Sequence, residues 1–370
     1  MDISINKTDL LGELSITQGV IERKSTVPIL SNFLFETSGN NLLITATDLE
    51  LSLRTFCAAT VKTPGYCTVP GRKLYDYIRL LADGELTIKS QENDWVQIRC
   101  GRSNTRMVGL PRKSFPSLPL YPAQAALRLP AAIFRTMISR TIFAISQEES
   151  RYMLNGALLI LQPTSITMVA TDGNRLAHIQ APASIAGVTS EVRVLIPQKA
   201  LSEINTLLNF RGIEVFEFAK DDSTLYFRIG SRLLSCRQLV GTFPNYEPVL
   251  SRDYTRSLVL PCGEFSQAVQ RVSQFSDERA SAVQLNVQNK QFCLSSSSPE
   301  TGESEETLDT AYAGEPMAAR FNSRFLIEFL RAAGSDMVQF YFKEHTAAAE
   351  FRPNDGGGYE YRYVVMPMRT

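Results

Sequence analysis

Two rhythms of apolar residues alternate along the chain. In TVPGRKLYDYIRLL (68–81), LIPQKALSEINTLL (195–208) and RFNSRFLIEFLRAA (320–333), a strand-like lead-in meets a turn residue and then helical spacing. Leu74, Ile78 and Leu81 in the first, Leu201, Ile204 and Leu208 in the second, and Leu326, Phe329 and Ala333 in the third form stripes three or four residues apart, which predict the core side of a helix. Leu74, Leu201 and Leu326 hold the same station about 125 residues apart. A second set precedes these: residues 3–23, 127–147 and 258–279 each pass from an alternating start into a helix carrying Leu10 and Leu14, Phe134 and Ile138, or Phe265 and Val269 on its apolar side. Two further strand-like stretches recur in the first two copies. One contains Thr-Asp, in LLITATDLELSLR (42–54) and SITMVATDGNRLAHI (165–179), and the other runs to a Phe-Pro, at Phe115-Pro116 and Phe243-Pro244.

Elements in matching order make this an internal repeat of about 120 residues, the size of an ordinary domain. The Pro-containing stretches PSLPLYPAQA (116–125) and PVLSRDYTR (248–256) place the boundaries, giving domains 1–122, 123–251 and 252–370. Each copy carries two helices and several short strands, so the predicted class is α+β.

Charge refines this picture. Opposite the apolar stripe, the second helix of each copy presents Arg72, Asp76 and Arg79; Lys199, Glu203 and Thr206; or Arg324, Glu328 and Arg331. The first helices present Thr8, Gly12 and Ser15; Ala132, Thr136 and Ser139; or Gly263, Gln267 and Gln270, without a carboxylate. A surface of this kind lies beside phosphates without gripping them, and it serves equally as a solvated face. Overall, 38 basic residues balance 38 acidic ones, so any nucleic acid is held by a local concentration of charge. Apolar residues make up 44% and charged residues 21%, as in a soluble globular protein. There is no apolar run long enough to span a membrane and no signal-peptide pattern at the start, so the expected compartment is the cytoplasm. Six cysteines without a CxxC pair read as buried, reduced thiols, and two distant histidines offer no zinc set.

Catalytic signatures are lacking: the chain has no GxGxxG, GxxxxGK[ST], GxSxG or HExxH. Asp48 and Asp172, each after a Thr, read as turn residues. ESEE (303–306) reads as an exposed loop and NDGGGYE (354–360) as a hairpin tip. No cofactor is expected.

The stretches VPILSNFLF (27–35), TATDLELSL (45–53), TVPGRKLYD (68–76), RYMLNGALL (151–159), VATDGNRLA (169–177), GTFPNYEPVL (241–250) and YVVMPMR (363–369) resemble, in order, the bacterial DNA polymerase III beta subunit, the sliding clamp. The resemblance spans essentially the whole chain, and ATDGNRLA together with YVVMPMR makes it specific. It implies three repeated clamp domains, each with two helices and antiparallel sheets, in a ring-shaped head-to-tail homodimer around double-stranded DNA. The ring has no catalytic activity of its own. It tethers the replicative polymerase for processivity and serves the clamp loader, other polymerases and repair proteins through short linear motifs.

The resemblance also implies site residues. DNA-facing positions are Lys24, Arg72, Arg79 and Lys199, with Gln147 or Tyr152 in SQEESRY, where Glu148 and Glu149 replace a neutral contact. The partner-peptide pocket, between domains 2 and 3, takes Met153 and Leu154 from one stretch and Thr171, Gly173, Asn174, Arg175 and Leu176 from another. Pro244, Pro248, Val249 and Asn322 belong to it, as do Val364, Val365, Met366, Pro367, Met368 and Arg369 from the last stretch. Asn174, Pro248 and Thr370 depart from the commonest enterobacterial pattern, which bears on peptide preference. The dimer seam is expected between strand 102–109 and the helix end at 273–279, anchored by Met107 and Phe275.

The last stretch is the most informative. In the first two copies the equivalent strand, ending at Leu110 or Leu239, runs on through Phe-Pro into the next copy; in the third it is expected to leave a free apolar edge. Flexible methionines suit a surface that accepts several peptides, each worth roughly 1.5–3 kcal/mol when buried. Two other readings compete. A small-molecule enzyme built on Asp172, Asn174 and Arg175 needs converging polar groups, whereas the neighbouring residues are mainly apolar. A monomeric scaffold predicts a particle of 41.2 kDa instead of twice that mass.

Overall fold

The computed structural model describes residues 1–21, 26–122, 126–251, 253–277, 281–355 and 357–368. Seven α-helices lie among them: α1 (Lys7–Thr17), α2 (Gly71–Leu80), α3 (Ala131–Thr141), α4 (Gln198–Leu208), α5 (Glu247–Leu250), α6 (Cys262–Val272) and α7 (Ser323–Ala332). The six long helices fall where the apolar stripes put them. Four of these, α2, α3, α4 and α6, follow directly on a strand that ends in proline: Tyr66–Pro70, Leu127–Pro130, Val192–Pro197 and Arg256–Pro261. Proline has no N–H for a sheet ladder, and its fixed φ suits the entry to a helix. The other two, α1 and α7, start at Asn6 and Asn322, whose side-chain oxygens accept from the backbone N–H of Thr8 at 2.8 Å and Arg324 at 2.9 Å.

Contacts divide the chain into two compact units, Met1–Ala132 with Lys199–Gln238, and Ile133–Gln198 with Leu239–Thr370. In the first, a five-stranded antiparallel sheet runs in the order Thr60–Thr63, Asp2–Asn6, Glu85–Ser90, Trp95–Cys100, Ser103–Val108. Its eight-stranded sheet runs Leu127–Pro130, Val215–Lys220, Thr224–Ile229, Arg232–Arg237, Leu51–Ala58, Asn41–Thr47, Asn32–Ser38, Tyr66–Pro70. In the second unit the eight-stranded sheet runs Val192–Pro197, Gly156–Gln162, Ser165–Thr171, Arg175–Pro182, Glu360–Val365, Ala349–Pro353, Met337–Phe342, Arg256–Pro261. A four-stranded sheet completes it: Gly302–Asp309, Gln291–Ser298, Ala282–Gln288, Met317–Asn322.

Each eight-stranded sheet therefore takes four strands from one sequence copy and four from the next. The joints are the pairing of Arg232–Arg237 with Leu51–Ala58 and of Glu360–Val365 with Arg175–Pro182. The middle copy gives strands to both units because its two strand sets join different sheets.

Three expectations need correction. The stretch through Val365 is no free edge: it lies inside the sheet between Arg175–Pro182 and Ala349–Pro353, with Tyr361, Tyr363, Val364 and Val365 buried. Only residues from Met366 onward leave the sheet. ESEE is not a loop but part of the strand Gly302–Asp309, paired residue by residue with Gln291–Ser298. Its glutamates sit on an outer strand, where charge is tolerated. Leu81 caps α2 in an extended conformation and is only half-buried, so the stripe of α2 rests on Leu74 and Ile78. All six cysteines are buried and free, and burial pushes the Cys57 and Cys67 thiols up to about 12, where they are inert.

Candidate functional site

The repeated Thr-Asp builds the same turn twice. Asp48 Oδ1 accepts from the N–H of Glu50 and Leu51 at 2.9 and 2.6 Å, and Asp172 Oδ1 accepts from Asn174 and Arg175 at 2.9 and 3.1 Å. The preceding hydroxyl reaches across in both, Thr47 Oγ1 to Leu51 O and Thr171 Oγ1 to Arg175 O. The residue after the Asp is left-handed in both, Leu49 at φ 81° and Gly173 at φ 91°. These aspartates are turn-formers, as their position suggested.

Beyond the second turn lies an apolar cluster of Leu158, Ile160, Val169, Leu176, Leu195, Leu239, Tyr246, Ala348 and Val364, with Phe243, Val249 and Leu250 packed on it half-buried. Sheet register explains the floor. Leu195, Leu158, Val169, His178 and Arg362 stand side by side in one row across five strands, and Thr171, Leu176, Val364 and Glu350 form the next. The chain from Leu239 to Leu250, ending in α5, crosses over this floor. At the rim, Met153 is 40% exposed and Met366 41% exposed. Met153 packs against Gly241, and the Met366 N–H donates to Asn174 O at 2.8 Å, tying the end of the last strand to the turn. Pro244 and Pro248 are exposed, Val249, Asn322, Pro367 and Met368 half-buried, and Leu154 buried.

Of the sequence-predicted wall, the structure thus gathers Leu176, Val249 and Val364 in the cluster, with Met153, Asn174 and Met366 at its rim. Two predicted members point elsewhere. Arg175 and Val365 face each other across the joint and share the opposite face of the sheet. Arg175 donates to Asp172 Oδ2 at 2.9 Å and to Phe143 O at 2.5 Å, pairs with Glu328, and lies 4.2 Å over the Phe325 ring. It holds the Thr-Asp turn to α7 from beneath. Asn322 caps α7. Arg369 and Thr370 lie outside the described residues.

The other eight-stranded sheet shows what makes this floor special. Its corresponding row is Thr68, Leu34, Thr45, Arg54 and Leu233, followed by Thr47, Ser52 and Ser235. Threonine and serine replace leucine and valine at four stations, arginine replaces His178, and Thr68 is bonded to both N–H and C=O of Leu110 at 2.7 Å. Such a floor gains little from burying an apolar peptide.

Matches to known proteins decide the family. Models of the DNA polymerase III beta subunit match in chain order: the N-terminal domain at 1–119, the central domain at 128–245 and the C-terminal domain at 247–369. The chain belongs to the DNA polymerase III beta subunit family. It is 31% identical over 377 residues to the beta sliding clamp of Caulobacter vibrioides, covering 100% of both. Two solved structures of sliding clamps bound to griselimycin superpose over 100% of both chains: that of Pseudomonas aeruginosa at TM-score 0.92 and 30% identity, and that of Bartonella birtlesii at 0.93 and 33%.

The remaining family positions are scattered in this chain. Arg72 and Arg79 are exposed on α2, where Arg79 makes a loose 4.0 Å pair with Asp76 and lies 5.9 Å from the Tyr75 ring centroid. Lys199 is engaged: its ammonium pairs with Asp48 and donates to Val20 O at 3.1 Å, while its side chain stays 44% exposed. On the same helix, burial raises the Glu203 carboxyl above its usual range against the pull of Lys199. Gln147 is exposed and donates to Gln198 at 2.8 Å, and Tyr152 is 52% exposed. Lys24 lies outside the described residues.

At the expected seam, Met107 is buried under its own sheet and cannot anchor a partner, whereas its neighbour Val108 is 52% exposed. Strand alternation turns the two to opposite faces. Phe275 is half-buried. Among the described residues, the outer strands Ser103–Val108 and Gly302–Asp309 each pair on one side only. No group of three or more His, Cys, Asp or Glu there could hold a metal ion, and no helix is long and apolar enough to cross a membrane.

Proposed function

We propose that two copies of this chain close head to tail into a ring around duplex DNA, tether a replicative polymerase for processivity, and dock short linear peptides on the apolar cluster. Polymerases, the clamp loader and repair proteins are the partners. The ring is cytoplasmic, carries no catalytic activity, and its domains are 1–122, 123–251 and 252–370.

The observation that carries the peptide reading is the pair of adjacent rows holding Leu158 and Val169, and Leu176 and Val364, rimmed by Met153 and Met366, in a family whose griselimycin-bound members fold alike. The ring rests on the unpaired outer strands. The last strands of the second and third copies, Arg232–Arg237 and Glu360–Val365, each pair with the strand after the turn in the preceding copy. The corresponding strands of the first and third copies, Ser103–Val108 and Gly302–Asp309, each pair on one side only among the described residues. A second chain supplies the other neighbour of both. Arg106 on one strand, with Arg102 in the turn before it, complements Glu303, Glu305 and Asp309 on the other. Zero net charge suits a ring that holds DNA by topology.

The test is retention on DNA. Loaded protein should stay on nicked circular DNA and leave once the circle is cut. Equal retention on both forms would refute the ring, as would a particle of 41.2 kDa on sizing.

A further inference from the structure

The floor of the apolar cluster ends in charge. Glu350, at 0% exposure, stands beside Val364, and Arg362 stands beside His178. Arg362 grips Glu350 with two bonds, Nε to Oε1 at 2.7 Å and Nη2 to Oε2 at 2.8 Å. The same Nη2 donates to the carbonyl of Leu250 at 2.5 Å. Leu250 is the last residue of α5, and the final carbonyls of a helix have no partner within it. A helix of four residues has almost no stability of its own. α5 nonetheless carries Val249 and Leu250, which close the cluster from above. Arg352 also donates to Glu350 Oε1 at 2.5 Å, so the carboxylate is held from two sides and Arg362 is fixed in turn. The other sheet has Leu233 at the station of Arg362, and its row carries no such fork.

We propose that Arg362, set by Glu350, is a positioning residue for the peptide site: it clamps the end of α5 to the sheet so that Val249 and Leu250 stand ready before a peptide arrives. Free of the clamp, α5 samples other positions, and a ligand must first order the wall that should receive it, which lowers affinity by the fraction of time the wall is in place. This rests on the peptide-docking reading above and adds to it a residue that never touches the ligand.

The test separates positioning from mere stability. Glu350→Leu/Arg362→Leu removes both charges together, so neither is left buried without a partner, and Arg352, which loses Glu350, is 36% exposed at its side chain and keeps its place 4.6 Å over the Tyr341 ring; such a swap is often neutral for folding. Three measurements are made on the full protein and this variant: melting temperature, affinity for griselimycin and for a Gln-x-x-Leu-Phe peptide, and hydrogen exchange at the amides of Val249, Leu250 and Ser251, which bond to Tyr246 O, Tyr246 O and Glu247 O at 2.9, 3.3 and 2.9 Å. The expected result is a melting temperature near that of the parent, a loss of affinity of at least tenfold, and faster exchange at these amides. Parental affinity with parental exchange overturns the proposal. Arg362→Lys, which keeps the charge on Glu350 but cannot fork, should move both readouts the same way even if the double variant folds poorly; no change in either overturns it as well. If the parent binds neither ligand, the docking reading fails, while exchange at α5 still decides the clamp.

Discussion

Replacing Met366 and Met368 with alanine tests how much of the docking energy lies in the end of the last strand. Their backbones are held independently of their side chains, by Met366 N–H to Asn174 O and Met368 N–H to Arg320 O, both at 2.8 Å. The substitution therefore removes side-chain surface and leaves the chain in place. Complete burial of a methionine is worth about 1.5–3 kcal/mol, yet Met366 is only 41% exposed, so a ligand can gain only that share from it, about 1 kcal/mol. Met368, half-buried, offers a similar amount or less. The pair should cost about 1–2 kcal/mol of binding, roughly five- to thirtyfold in Kd, below the full-burial figure the sequence suggests. Anisotropy of a labelled Gln-x-x-Leu-Phe peptide reads the affinity, and urea unfolding of the same protein reads stability. A variant that unfolds earlier but binds at full strength would show that these side chains only cap the core.

Other outcomes follow from the same structure. Burial and, less strongly, the Arg362 charge hold the His178 imidazole down to about 4, against the pull of Glu360 and Glu350. The unfolded chain takes up a proton near pH 6.5, so this contribution is complete above pH 6.5 and drains away as pH falls towards 4. It amounts to at most ~3 kcal/mol, and His178→Phe should flatten stability across that window in urea titrations at several pH values. At the proposed seam, Val108→Asp or Phe275→Asp should turn the proposed dimer into monomer on sizing at low concentration. Met107→Ala should instead lower unfolding stability by about 2–4 kcal/mol without selectively loosening the dimer. Arg72→Gln/Arg79→Gln should shorten dwell on any DNA sequence and reduce the salt slope by about two. Lys199→Gln should do less, since its ammonium is already paired with Asp48; an equal effect would refute that difference.

Local chemistry was legible in advance. The stripes of Leu74, Leu201 and Leu326 placed helices because a helix repeats its facing positions every three or four residues whatever surrounds it. Asp48 and Asp172 announced their turns because an Asx side chain bonds its own backbone. ESEE misled because alternating serine and glutamate look like a loop unless a partner strand is known. Met107 misled because one step along a strand reverses which face a side chain takes, and sequence alone does not fix that step. Leu158, Val169 and Leu195, central to the floor, gave no signal beyond ordinary strand residues, since their role depends on which strands become neighbours.

By itself, then, the sequence determined the threefold repeat, its helices and turns, and a family resemblance strong enough to name a site. Each of these depends on interactions within a few residues or on motif order. The tertiary structure alone decided that copies share sheets, so that Val364 stands beside Leu176 and Glu350, and Arg362 beside His178. It alone decided that the final strand is interior, that Lys199 is occupied by Asp48, and that one floor is apolar while its counterpart is polar. The joints between copies, such as His178 beside Arg362 and Arg54 beside Leu233, pair residues more than a hundred positions apart, and register across such a distance is set by the packing of whole faces, which no local pattern contains.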